Sequence, residues 1–285
     1  MLFLGFIFLY IGAMGLFSKK LVDRHVAEWQ FESFEWLILH SALRQGLDAG
    51  TLWLPTAEHF GSPDPERPLK GLALANFIFD TITRHMAFGA HAIKLTAVSE
   101  EKGGFLGASA LIQTEGQSAC GRYIQRQGAA GISEEITYDK DLVARPESLI
   151  ATLAHELSHA LHSRTREPLD IEPELYELFT DLTAVYMGYG IFLANSRFSF
   201  ESNSVGWQAK GAGYLPEADL IFATAIFMAI KDLPQETAKP YLKPGLYKML
   251  SKAFKQLSHY SDDIVRLRKL APLFNGEPLP PPTPL

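Results

Sequence analysis

The sequence predicts an α+β fold, in which a small, mostly antiparallel sheet precedes a helical subdomain within one domain of residues 21–275. Three observations carry that expectation. The middle third holds short runs rich in β-branched and aromatic residues, cut by glycines. From Pro146 onward the pattern changes, and Leu149, Leu153, Leu157 and Leu161 recur every fourth residue, as on one face of a helix. Finally, 47% of the 285 residues are hydrophobic, enough to bury a core at this length.

Residues 1–17, the greater part of an N-terminal segment of residues 1–20, form an uncharged apolar run followed by Ser18, Lys19 and Lys20. Its length sits at roughly the 17-residue lower limit for crossing a bilayer. The run is expected to tie an otherwise cytoplasmic protein to a membrane, with Lys19, Lys20 and Arg24 holding the following domain on the cytoplasmic side. Two other readings stand beside it. One is a removed secretory signal, for which Ala13-Met14-Gly15 is a poor cleavage site; the other is an extra leader, with Met14 as the functional start.

Residues 21–46 place Val22, Val26, Trp29, Phe34, Leu37 and Leu43 at helical spacing, giving one or two amphipathic helices that end at Gly46. Residues 52–54, before Pro55, read as a short strand, residues 61–68 as a proline-rich loop and residues 69–86 as a helix. Strand-like pieces follow at 92–98, 109–113, 122–125 and 132–138, and residues 128–131 suit a hairpin turn. Pro146 fits a first helical position, a second helix follows Pro173 as far as Met187, and others lie at 216–230 and 244–270. The apolar stretch 220–230 is too short to span a bilayer and is expected inside the domain. Residues 276–285 are a Pro-rich, extended tail.

Charge and cysteine content narrow the chemistry. The net charge is −6 and the 26 basic residues are scattered, so no strip tracks a phosphate backbone and nucleic acid is not an expected partner. Cys120 is the only cysteine, which excludes an internal disulfide and a thiolate metal cluster. Any metal site must therefore be built from histidine and carboxylate.

Such a site is written in residues 151–160, Ala-Thr-Leu-Ala-His155-Glu156-Leu-Ser-His159-Ala. Two histidines four apart on a helix lie about 40° apart around its axis and one turn apart along it, so both imidazoles reach one ion. Glu156 projects from the same broad face but is displaced around it, which places a base beside a metal site without making it a ligand. His162 shares the face of His155 but lies about 10 Å further along the axis, too far to join. A catalytic zinc needs a third protein ligand. Residues 172–184 offer acidic candidates on the next helix, Glu174 and Glu177, with Glu174 also suited to the helix dipole in the first turn after Pro173. The glycine and third histidine of an all-histidine site are absent, with Arg164 to Arg166 occupying the stretch where they would appear.

Together, His155-Glu156-x-x-His159 and Glu177-x-x-x-Asp181 resemble the thermolysin-like, or gluzincin, metallopeptidases over residues 146–190. The wider pattern, Leu-Ile-Ala-Thr-Leu-Ala-His-Glu-Leu followed by Thr-Asp-Leu and Gly-Ile-Phe-Leu-Ala-Asn-Ser, resembles a group of uncharacterised bacterial zincin-like proteins. The resemblance implies a zincin-like fold and one zinc ion on His155, His159 and Glu177. It also implies that Asp181 orients a ligating histidine. It further implies a peptide or protein substrate lying along an edge strand, for which residues 132–138 are placed, and an oxyanion-holding tyrosine or histidine. Tyr214 in Gly-Ala-Gly-Tyr-Leu is chosen for that role, with Tyr186 and His259 as alternatives. The expected activity is zinc-dependent peptide hydrolysis with Glu156 as general base. The competing expectation is a catalytically silent zincin-like domain that binds metal for partner recognition or regulation.

Overall fold

The computed structural model describes residues 20–40, 51–88, 93–99, 120–128, 131–165, 169–203 and 214–270. Helix α1 (Arg24–Leu39) opens the described fold and is followed by the single turn α2 (Ala57–Phe60) and by α3 (Gly71–His85). Three strands come next: β1 (Ile93–Val98), β2 (Gly121–Gly128) and β3 (Gly131–Asp139). A 3-10 turn, Lys140–Ala144, leads into α4 (Pro146–His162), which carries the His-Glu-x-x-His motif. Helix α5 (Pro173–Ala184) runs through a π turn, Val185–Tyr189, into α6 (Gly190–Asn203). Helices α7 (Glu217–Ile230), α8 (Pro244–Leu257) and α9 (Ser261–Leu270) close the described chain. The fold is thus mixed helix and sheet, as expected of an α+β chain.

The sheet departs from the expectation in two ways. Its order is β1-β3-β2, with β3 antiparallel to β2 but parallel to β1. It is therefore half parallel rather than mostly antiparallel. The chain between Val98 and Gly131 is long enough to lay down β2 and still bring β3 back in the direction of β1. The second departure is positional: residues 132–138, expected at an edge, lie on the central strand, and β2 is the edge strand that packs beside α4. The hairpin pairing of Gly128 with Gly131 is as expected, whereas residues 109–113 lie outside the described residues.

Residues 52–54 form no strand. The Trp53 N–H instead donates to the Gly188 carbonyl at 3.0 Å, docking this segment on the π turn. Gly188 has φ +93°, and a Cβ there would stand 2.3 Å from the Thr51 carbonyl oxygen. Only glycine fits both the backbone conformation and the approach. The 244–270 helix is likewise broken, by a 3-10 turn at Ser258–Tyr260.

One hydrophobic cluster runs from Val22 to Leu267, and α7 is its central rod, with Leu220 to Met228 all buried. The leucine stripe of α4 is fully buried against it. The expectation of membrane association is corrected here: no helix among the described residues is long and apolar enough to cross a membrane. The apolar run on which it rested, residues 1–17, lies outside them, as does the Pro-rich tail. The apolar residues of α7 that could have prompted a similar reading are spent on the core.

Candidate metal centre

Pro146 starts α4 at a position where the missing N–H costs nothing, and the leucine stripe fixes the helix's rotation. That rotation turns His155 and His159 toward α5. On α5, Glu177 and Asp181 are one turn apart and reach the same pair of helical turns on α4. The ligand atoms of His155, His159 and Glu177 all lie within 4.8 Å of one another, a candidate metal-binding triad. His155 Nε2 is 3.1 Å from Glu177 Oε2 and 3.2 Å from His159 Nε2, and His159 Nε2 is 3.5 Å from Glu177 Oε2. Glu174 is exposed in the first turn of α5 and is not part of the group.

Neighbouring groups set the direction of each imidazole. Asp181 Oδ1 lies 2.8 Å from His155 Nδ1, so Nδ1 carries a proton, and in the neutral ring that an ion would bind Nε2 holds the lone pair. Asp181 Oδ2 accepts from the Leu215 backbone N–H at 2.9 Å, which fixes the carboxylate in turn. The Thr180 hydroxyl donates to the Tyr176 carbonyl and faces His159 Nδ1 at 3.4 Å, giving His159 the same tautomer. Tyr176 also stacks on His159, with ring centroids 5.4 Å apart.

The electrostatics of the cluster favour a cation at its centre. Burial opposes charge on His155, but its hydrogen bonds to Asp181 and Glu177 outweigh that and hold the imidazole up at about 10. Burial likewise works against ionisation of Glu177, and the two histidines overcome it to hold the carboxyl well below the usual range.

Glu156 is only 2% exposed and lies between α4 and the edge strand β2. Burial pushes its carboxyl up, while the two imidazoles and a hydrogen bond from the Tyr123 backbone pull the other way. Gly121 makes this closeness feasible, since a Cβ there would stand 2.6 Å from Thr152 Cγ2 and 3.1 Å from Glu156 Oε1.

Tyr214 is brought to the site, its ring 5.1 Å from that of His155. Tyr186 instead packs edge-on against Phe34 in the core, and His259 is exposed on its 3-10 turn. His162 is buried away from the triad, its Nε2 2.9 Å from the Thr183 hydroxyl.

Tyr123 and Arg197 reach the site only through the fold, whereas Tyr176 and Thr180 adjoin Glu177 and Asp181 on α5 without a motif of their own. Arg164, notable in the sequence only for occupying a position where another ligand pattern would differ, is a fully buried brace. Its guanidinium pairs with both oxygens of Glu134 on β3, and Glu134 Oε1 also accepts from the Tyr123 hydroxyl at 2.7 Å. The brace ties the sheet to the C-terminal end of α4. Comparison with protein-family models, with curated proteins and with solved structures finds no match.

Proposed function

We propose that this chain is a zinc-dependent metallopeptidase of the gluzincin type, with His155, His159 and Glu177 as ligands and Glu156 as general base. The observation that carries this reading is the convergence of two Nε2 atoms and one carboxylate oxygen at separations of 3.1, 3.2 and 3.5 Å. Around an ion bound at about 2.1 Å, tetrahedral ligands stand roughly 3.4 Å apart, so the residues present fit zinc. Two imidazoles and one carboxylate, with one position left open, are the donor set of a catalytic rather than a structural zinc. An Asp181 carboxylate on the far side of His155 supports the same reading, because such partners fix a ligating ring and raise its basicity.

Zinc held there would polarise a peptide carbonyl and acidify water. Glu156 would accept the proton of the attacking water and return it to the departing amine. Its burial favours this work, since a raised carboxyl holds and releases a proton more readily near neutral pH. Tyr214 is the residue proposed to support the developing oxyanion. An extended substrate would lie along β2, the edge strand beside Glu156, in place of the central strand that sequence alone suggested.

The test is Glu156→Gln. The amide keeps the shape of the side chain but takes no proton, so stoichiometric zinc should remain while hydrolysis of a mixed peptide library falls by about 10²–10⁴-fold. Zinc-loaded wild-type protein with no activity on such libraries would instead leave a silent metal-binding domain.

A further inference from the structure

The two arginines near the site are used very differently. Arg164 is fully buried, with its two terminal nitrogens engaged by Glu134 and the Ala160 carbonyl. Arg197, on α6, has a side chain 22% exposed, and its ion-pair partner Asp181 is 3.5 Å away. Both Asp181 oxygens already accept shorter bonds, from His155 at 2.8 Å and Leu215 at 2.9 Å. Asp181 therefore does not depend on Arg197 for its position. The guanidinium carbon instead sits 4.5 Å above the Tyr214 ring, and that ring is 5.1 Å from His155. Tyr214 thus touches both His155, with the two rings tilted 58° to each other, and Arg197.

We infer that Arg197 is a carboxylate-binding residue of the substrate site, which selects peptides carrying a carboxylate close to the bond that is cut. This rests on the metallopeptidase reading and names its substrate class. A cation–π contact with Tyr214 holds the guanidinium in place, and the N–H groups other than those facing Asp181 supply the paired bonds that match a carboxylate. Charge balance points the same way. Ionised Glu156, Glu177 and Asp181 against one divalent ion leave a single negative charge, which would repel an anionic substrate. Arg197 cancels it. The carboxylate could belong to the peptide's C-terminus or to an acidic side chain, and both present the same chemistry to the fork.

The experiment is calorimetric titration of Glu156→Gln protein, with and without zinc, using three probes. These are N-acetyl-trialanine as the free acid, the same peptide as its C-terminal amide, and N-acetyl-Ala-Ala-Glu amide. At least one carboxylate probe should bind about tenfold more tightly than trialanine amide, and which one does so identifies the source. Adding Arg197→Gln should bring all three within about twofold, and Arg197→Lys should retain part of the preference, as a point charge without the fork. The inference is overturned if the neutral amide binds as well as both carboxylates. It is equally overturned if neither carboxylate probe binds at millimolar concentration, or if the preference survives Arg197→Gln. Zinc content, measured separately by elemental analysis, reports on the metallopeptidase reading alone. A preference that depends on Arg197 supports the subsite whether or not zinc is retained.

Discussion

Replacing Asp181 by asparagine exchanges one carboxylate oxygen for an NH2 and should be felt by a metal that neither group touches. In the wild type, Oδ1 faces His155 Nδ1 at 2.8 Å and Oδ2 accepts from the Leu215 N–H at 2.9 Å. Both of these contacts need an acceptor. Asparagine has one. If its oxygen faces His155, its NH2 opposes the Leu215 N–H, donor against donor, at a residue that is completely buried. That arrangement costs about 1–3 kcal/mol of folding stability, the penalty for an orphaned buried donor. If the amide turns the other way, its NH2 faces His155 Nδ1, and the imidazole must move its proton to Nε2 to accept. The Nε2 lone pair is then lost to the ion.

Either orientation weakens the site, so zinc affinity should fall about 10–100-fold, equivalent to roughly 1.4–2.7 kcal/mol. Competitive titration against a chelator of known affinity at pH 7.5 measures this directly, with thermal melting of the metal-free protein reporting the cost at Leu215. Glu177→Gln, which removes an anionic ligand itself, should weaken binding further. Zinc affinity for Asp181→Asn within about twofold of wild type would refute the tautomer argument. A variant that holds zinc normally but melts early would show that Asp181 serves only the Leu215 N–H.

Arg164→Met strands Glu134 inside the protein, and breaking such a buried pair should cost about 3–5 kcal/mol in denaturant melts; the double variant Arg164→Met, Glu134→Leu should recover much of the loss. Recovery of nothing would place the cost in the Ala160 contact rather than in the pair. His85 supplies a pH test away from the metal site. Burial, and then His59, lower its imidazole from 6.5 to about 4, consistent with Nε2 accepting from the Trp53 indole and Nδ1 standing 3.0 Å from the Tyr189 hydroxyl. Its folded-state value lies below the unfolded one, so its contribution is complete above pH 6.5 and is lost as pH falls toward 4. Each unit of that shift is worth about 1.4 kcal/mol, giving an upper bound of roughly 3–4 kcal/mol for the acid loss. His85→Gln should flatten the stability curve across that window, and an unchanged slope would sink the assignment.

The parts of this fold that could be read from sequence are those governed by local periodicity. The four-residue leucine repeat marked the face of α4 that enters the apolar core, and thereby the opposite side on which His155 and His159 stand, although both sides are buried. Prolines at 146, 173 and 244 marked helix starts that the structure bears out. Residues 52–54 failed for a related reason. Leu-Trp-Leu has strand composition, but composition says nothing about the partner, and here the partner is a carbonyl exposed by a π turn rather than a neighbouring strand. The order β1-β3-β2 was illegible on the same grounds, since alternation along a strand identifies its faces and not its neighbours.

The candidate site divides along the same line. Two candidate ligands come from one helix at a fixed spacing, and Glu177 with Asp181 from the next at another, so each pair was visible within a few residues. The groups that hold and tune them come from afar: Tyr123 from the edge strand, Leu215 from just before α7, and Arg197 from beyond the π turn. No short motif records these, because each contact depends on the packing of whole elements. The π turn itself shows how. Gly188 lets Thr51 approach and introduces the irregularity between α5 and α6, two helices that otherwise run on without a break. An extra residue in a helical turn rotates everything beyond it, so the face that Arg197 presents to Asp181 is set at Gly188, nine positions earlier in a stretch with no charged residue. A candidate ligand pair can be read where four residues make one turn; an arginine whose orientation depends on a distant bulge becomes visible only in the folded chain.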